Sequence, residues 1–276
     1  MSENSGKCLL RWVGGKRLLR KKIASLIPMD IKLYAEPFGG AGWVLFFRDK
    51  WADVEVYNDL DGRLVNLFRI VKYHPKALVD ELHFMLRSRE MFEQALEFEG
   101  YTDIQRAARF LFLVSTSFGG SGKVFGTGRI AGGLRDITKL ISRIEVIHER
   151  LKEVCIEHLD FEELILKYDF KDAFFYCDPP YTSGAGYDVV STKGFDHERL
   201  RDCLGKIKGR FLLSYDDLDK ARDLYEGFNV LEVTRRKGIN NINPNGREYK
   251  ELLIANYDIS KQEGQGIRQS LLWETR

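Results

Sequence analysis

A mainly parallel α/β fold, with one antiparallel strand near the C-terminus and a mainly helical insertion, follows from three observations on this 276-residue chain. Short apolar strands alternate with amphipathic helices over residues 1–71. From 72 to 150 helical periodicity dominates and no clear strand is found. From 151 the alternation resumes. Strand-helix alternation of this kind implies a doubly wound sheet, and a break in it implies an insertion. The expected organisation is one α/β domain formed by 1–71 and 151–260, an insertion at 72–150, and a loosely held tail at 261–276.

Each element has a local reason. Leu18, Leu19, Ile23 and Leu26 recur at helical spacing from about Lys16 to Leu26, and the helix must stop before Pro28. A strand at Lys32 to Glu36 leads into the turn Pro37-Phe38-Gly39-Gly40-Ala41-Gly42, and an apolar helix is expected from Trp43 to about Lys50. The strand Val54 to Tyr57 ends at Asn58-Asp59, and a helix starts near Asp61. Within the insertion, the stretch from Phe118 to Gly133 holds too much glycine for a regular element. Beyond it come the strand Val154 to His158, the helix Phe161 to Lys167, the strand Ala173 to Cys177, the helix His197 to Lys206 and the strand Arg210 to Ser214. A helix from about Asp217 to Tyr225 follows. The last strands, Asn229 to Val233 and Glu251 to Asn256, are joined by the polar loop Arg235 to Lys250. This loop is short enough for a hairpin, which places an antiparallel strand at the end of the sheet.

Composition narrows the class. A formal charge of +2 excludes a uniformly basic nucleic-acid binder and leaves room for local basic patches. Cys8, Cys155, Cys177 and Cys203 form no CxxC pair, which fits buried thiols in a reducing compartment. The five histidines lack ligand spacing, so no metal is expected. No apolar run approaches the ~18 residues of a spanning helix, and the polar start lacks a signal peptide's apolar region. The expectation is a soluble cytoplasmic protein with no membrane partner.

Two motifs carry chemistry. The first is the glycine turn after the first strand, where the backbone can come close to a ligand. Asp59 stands about 20 residues further on, at the end of the next strand, where a carboxylate can bind the ribose of a nucleoside cofactor. Asn58, Asp59 or Asp61 could equally cap the following helix. The second motif is Asp178-Pro179-Pro180-Tyr181, directly after the buried strand Ala173 to Cys177. The prolines end the strand in a rigid corner at the carboxyl edge of the sheet. A carboxylate and a prolyl carbonyl there can accept hydrogen bonds from an exocyclic NH2, while Tyr181 stacks on the ring.

Taken in order, Phe38-Gly39-Gly40-Ala41-Gly42 and Asp178-Pro179-Pro180-Tyr181 resemble the cofactor and catalytic motifs of amino-methylating DNA methyltransferases. More narrowly, the chain resembles the Dam-like, D12-class adenine-N6 methyltransferases of the alpha arrangement. Trp12-Val13-Gly14-Gly15-Lys16 is similar to the family's W-x-G-G-K motif, and Tyr57-Asn58-Asp59 to its ribose-binding acid. His158-Leu159-Asp160-Phe161 is similar to its adenine-edge motif, and Arg235 to Lys250 with Glu251-Leu252-Leu253-Ile254 to its Arg-rich hairpin.

The resemblance implies a Rossmann-like methyltransferase sheet that binds S-adenosylmethionine, with the 72–150 insertion as target-recognition region. Trp12 and Lys16 would border the cofactor, Lys16 near its carboxylate. Phe38, Gly39, Gly40 and Gly42 would pass under the methionine part, Asp59 would hold the ribose, and Asp160 with Phe161 would bracket the adenine, unless Asp160 serves only as a helix cap. Asp178 and Pro179 would accept the N6 hydrogens of a flipped adenine, next to Pro180 and Tyr181. Double-stranded DNA would be held by Lys123, Arg129 and Arg135 of the glycine-rich loop and by Arg235, Arg236 and Arg247 of the hairpin. A restriction endonuclease is a candidate partner, the protein is expected as a monomer or weak dimer on DNA, and a bacterial or phage source is implied. Methylation of cytosine N4 or RNA adenine, and a non-catalytic DNA-binding subunit of the same fold, remain as alternatives. Asp178 stands where protein-glutamine methyltransferases usually carry Asn.

Overall fold

The computed structural model describes residues 8–10, 16–126, 137–180, 194–216, 219–236 and 248–262. Seven strands form one sheet: β1 (Leu33–Glu36), β2 (Val54–Asn58), β3 (Val154–Glu157), β4 (Ala173–Cys177), β5 (Arg210–Asp216), β6 (Asn229–Arg236) and β7 (Glu248–Ala255). Their spatial order is β3-β2-β1-β4-β5-β7-β6. All neighbouring pairs are parallel except those of β7, which runs antiparallel to both β5 and β6. The single antiparallel strand is therefore as expected, but it does not form the sheet's edge. It is inserted between β5 and β6, where both of its ladders are satisfied.

Nine α-helices are found among the described residues: α1 (Arg20–Leu26), α2 (Gly62–Tyr73), α3 (Pro75–His83), α4 (Arg89–Glu97), α5 (Asp103–Thr116), α6 (Ile137–Leu151), α7 (Phe161–Tyr168), α8 (His197–Leu204) and α9 (Asp219–Leu224). Strand alternation separates two cores. Tyr34, Tyr57, Phe174 and Tyr176 face one side, against α1, α2, α3, α5 and α6. Ala35, Val56, Phe175 and Cys177 face the other, against α7 and α8. Leu78, Leu111, Val114 and Ile144, from the segment between β2 and β3, belong to the first of these cores. The same segment also holds a small core of its own, where Phe92, Phe112 and Leu113 pack with Met91 and Phe125.

Three local expectations are corrected. The helix expected from Trp43 to Lys50 is a single 3-10 turn, Leu45–Phe47. Its carbonyls are claimed by side chains: Trp51 Nε1 donates to Val44 O and Leu45 O at 3.1 Å each, and Arg150 donates to Leu45 O and Arg48 O. The first helix begins at Arg20, because Lys16 to Leu19 form a turn closed by Leu19 N donating to Lys16 O. Cys155 is exposed on the edge strand β3, whereas Cys8, Cys177 and Cys203 are buried thiols.

The parallel register brings Glu36, Asn58 and Cys177 to one edge of the sheet. Because β7 runs the opposite way, its beginning reaches that same edge, and Glu251 pairs there with Asp216.

Candidate active site

The glycine turn after β1 and the acid after β2 form one hydrogen-bonded unit. Gly39 N donates to Asn58 O at 2.7 Å, and Gly40 N donates to Asp59 Oδ2 at 2.8 Å. A Cβ on Gly39 would stand 2.7 Å from Tyr57 Cδ2 and 2.9 Å from Asn58 O, so no side chain fits there. Gly42, at φ 69°, occupies the left-handed region that glycine alone enters cheaply. Tyr57 Oη donates to Gly40 O at 2.7 Å and supports the turn from below. Asp61 N donates to Asp59 Oδ1 at 2.8 Å. Despite these two donors, burial pushes the Asp59 carboxyl up to about 6.

The capping alternatives separate cleanly. Asp61 is the N-cap of α2, accepting from Arg63 N at 2.9 Å. Asn58 is buried and ties three segments together: its Nδ2 donates to Pro37 O and Leu159 O, and its Oδ1 accepts from Leu159 N. Only Asp59 of the three lines the cleft without capping the helix.

Asp160 does cap α7, accepting from Glu162 N at 3.0 Å. Its carboxylate also pairs with the guanidinium of Arg199 on α8, which reaches Glu162 at 2.6 Å and lies over the Phe161 ring at 4.5 Å. Phe161 packs with Phe38 and Phe195, their centroids 5.5–5.6 Å apart. Sequence reasoning missed Arg199 and Phe195. Nothing in a sequence pattern ties the start of α8 to the start of α7.

At the end of β4, Asp178 accepts an ion pair from Lys16 Nζ at 3.2 Å. The same nitrogen lies 3.1 Å from Glu251 Oε2. Lys16 and Glu251 are buried, and Asp178 keeps partial exposure to the cleft. Beside them Glu36 accepts from Tyr34 Oη at 2.6 Å, and burial raises its carboxyl to about 8, with the Asp178 charge adding to the shift. Tyr176 is also buried and shares a 2.7 Å hydrogen bond with Ser214. The sequence reading placed Glu251 only in the segment matched to the hairpin motif and Glu36 only at a strand end, and assigned neither to the site.

Gly39, Gly40, Asp59, Asp160, Phe161, Lys16, Glu36, Tyr176 and Asp178 line one cleft of about 420 Å³, and Glu251 lies behind it, reached through Lys16. Its floor is the glycine turn, its flanks carry Asp59, Asp160 and Phe161, and its inner end carries Lys16, Asp178 and Pro180. The helical segment supplies the opposite wall through Arg109, Phe110, Leu113 and the Gly120 to Lys123 loop. Lys123 therefore stands at the cleft. Arg235 and Arg236 lie in β6, opposite Tyr249 and Glu248. Trp12, Arg129, Arg135, Tyr181 and Arg247 fall outside the described residues. Among the described residues no group of His, Cys, Asp and Glu is arranged to hold a metal ion, and no helix is long and apolar enough to cross a membrane.

Residues 12–239 match the model of the D12 class N6 adenine-specific DNA methyltransferases. The chain belongs to this family. As a D12-class methyltransferase it uses S-adenosylmethionine, and the family's activity is methylation of adenine N6 in DNA. It is 29% identical over 272 residues to the Type II methyltransferase M1.LlaDCHI of Lactococcus lactis subsp. cremoris, covering 90% of this chain and 94% of that protein. It is 27% identical over 287 residues to the Type II methyltransferase M.MjaIII of Methanocaldococcus jannaschii, covering 91% and 99%. The DNA N-6-adenine-methyltransferase of Escherichia phage P1 is 25% identical over 256 residues, which is 84% of this chain and 33% of that protein. Among solved structures, a putative RNA methyltransferase from Pyrococcus horikoshii overlays with a TM-score of 0.40 at 9% identity, covering 86% of this chain and 79% of that one.

Proposed function

We propose that this D12-class methyltransferase is a Dam-like, site-specific enzyme that methylates N6 of an adenine flipped out of double-stranded DNA. The observation that carries this reading is the single cleft holding both the glycine turn with Asp59 and the Asp178-Pro179-Pro180 corner. The donor set fits S-adenosylmethionine: a glycine floor with no room for a Cβ, a carboxylate for the ribose, and an aromatic cluster with Asp160 for the adenine. When bound, that cofactor supplies an electrophilic methyl group on a sulfonium.

Adenine N6 lies inside the base stack, so the base must leave the duplex at a cost of a few kcal/mol. Tyr181 is assigned to stack on it. Asp178 and the Pro179 carbonyl accept the two N6 hydrogens, which draws the nitrogen lone pair out of conjugation and toward the methyl. With the cofactor held there, N6 would bond to the methyl as its bond to sulfur breaks, leaving S-adenosylhomocysteine, and Asp178 would take up the proton that N6 gives up; no covalent enzyme intermediate is needed. Positioning and electrostatics supply the rate. The helical segment 72–150 serves as target-recognition region, with Lys123, Arg129, Arg135, Arg235, Arg236 and Arg247 on the phosphates. Trp12 and Lys16 border the cofactor. The relatives' names as Type II methyltransferases support a role beside a restriction endonuclease, with the protein acting as a monomer or weak dimer in the cytoplasm of a bacterium, or encoded by a phage.

The deciding experiment is expression in a bacterial host that lacks adenine methylation, with modified-base sequencing of its DNA and an Asp178→Ala chain in parallel. N6-methyladenine at one short motif, absent with the variant, is the expected result. A soluble chain that binds S-adenosylmethionine and leaves no mark on DNA would overturn it.

A further inference from the structure

Lys16 is shared. Its ammonium stands 3.2 Å from Asp178 and 3.1 Å from Glu251, and the lysine and the glutamate are both almost wholly buried. Glu251 reaches this point because β7 runs antiparallel and brings its beginning to the edge where β4 and β5 end. We infer that Glu251 is a positioning residue for the amine acceptor Asp178, setting its basicity by dividing the Lys16 cation between two carboxylates. This rests on the role given to Asp178 above.

Among the described residues, the titratable groups facing Asp178 come from four elements, with the buried Cys177 thiol beside it on β4. Lys16 approaches from the turn before α1, Glu36 from the end of β1, Tyr176 from β4, and Glu251 from β7. Ser214 on β5 faces Tyr176 and carries no charge. Burial raises the Glu36 carboxyl to about 8, so it adds little negative charge at neutral pH, and the Lys16 ammonium stands between the Asp178 and Glu251 carboxylates. A lysine serving Asp178 alone would hold that carboxylate in its most stable, least basic form. Glu251 draws part of the ammonium's field to itself and adds a negative charge nearby, and both effects favour proton and hydrogen-bond acceptance by Asp178. The ion pair with Lys16 Nζ is made by Oδ1. Through it Lys16 fixes the carboxylate in place while Oδ2 is the oxygen assigned to the substrate amine.

The test is carboxyl-carbon NMR of the full chain labelled at aspartate, with the Asp178 resonance assigned by its loss in Asp178→Asn. In Glu251→Gln, which keeps size and shape, Asp178 is expected to titrate about half a pH unit or more below wild type. In Lys16→Met it is expected to titrate above wild type. A folded Glu251→Gln chain with an unchanged or raised titration overturns the inference, and so does an unchanged Lys16→Met chain if Glu251→Gln does not fold. Single-turnover methylation by Glu251→Gln is expected to fall about three- to tenfold, with its acid limb moved to lower pH. If the titrations shift as expected but Asp178→Asn methylates DNA at the wild-type rate, the tuning stands and the catalytic role of Asp178 falls.

Discussion

Gly40 N donates to Asp59 Oδ2 at 2.8 Å, and this bond locks the glycine turn of β1 to the acid at the end of β2. The two motifs that would grip opposite parts of a nucleoside cofactor are thereby held as one rigid piece. Burial keeps the Asp59 carboxyl near 6, inside the range where assays are run.

Cofactor affinity is expected to weaken as pH falls through about 6, because a protonated Asp59 offers the ribose hydroxyls a poorer acceptor. Calorimetric titration with S-adenosylhomocysteine between pH 5 and 8 measures this. Asp59→Asn should bind more weakly and lose the pH dependence. Equal affinity of the wild-type chain across the range would remove Asp59 from the ribose site.

Glu36 makes the apo protein less stable as pH rises. Its folded-state carboxyl titrates near 8, against an ordinary 4.5. Its contribution is therefore fully present below about 4.5 and is lost as pH climbs toward 8, at roughly 1 kcal/mol per pH unit. Glu36→Gln removes the titrating group while keeping an oxygen that can accept from the Tyr34 hydroxyl. Urea melts at pH 6, 7 and 8 should show a flatter pH dependence in the variant. Parallel slopes in the two proteins would contradict this.

Arg150 joins α6 to β2 through a bidentate pair with buried Glu55, at 2.6 and 2.8 Å, and Trp51 N also donates to Glu55 at 2.9 Å. Removing one partner strands a buried charge, so Arg150→Met is expected to cost about 3–5 kcal/mol in a urea melt. A loss under 1 kcal/mol would mean that water reaches Glu55.

Arg235→Ala with Arg236→Ala should weaken DNA binding and flatten its salt dependence by roughly 0.9 per lost phosphate contact. Fluorescence anisotropy at several salt concentrations reads both quantities. An unchanged slope would take the β6 end of the hairpin off the DNA.

Much of the fold was legible in the chain because its signals are local. Ala173-Phe174-Phe175-Tyr176-Cys177 followed by two prolines can be little other than a buried strand with a fixed end, and the glycine turn and Asp59 lie within about 20 residues of one another, at the spacing of a nucleoside site. Where the sequence reading erred, a distant residue intervened. Periodicity favoured a helix at Trp43 to Lys50, but Trp51 and Arg150 took its carbonyls. An antiparallel strand was expected from the hairpin length, yet only the full sheet placed β7 inside β6.

The sequence by itself determined the alternating fold, the family motifs and the Asp178-Pro179-Pro180 corner after β4, each of them written in contiguous residues. Tertiary structure alone decided that Lys16 and Glu251, from opposite ends of the chain, meet beside Asp178, that Arg199 holds Asp160, and that the helical segment walls the cleft. The physical reason is that an ion pair in a low-dielectric interior depends on which chain segments the sheet order brings to one edge, and spacing along the chain carries no record of that order.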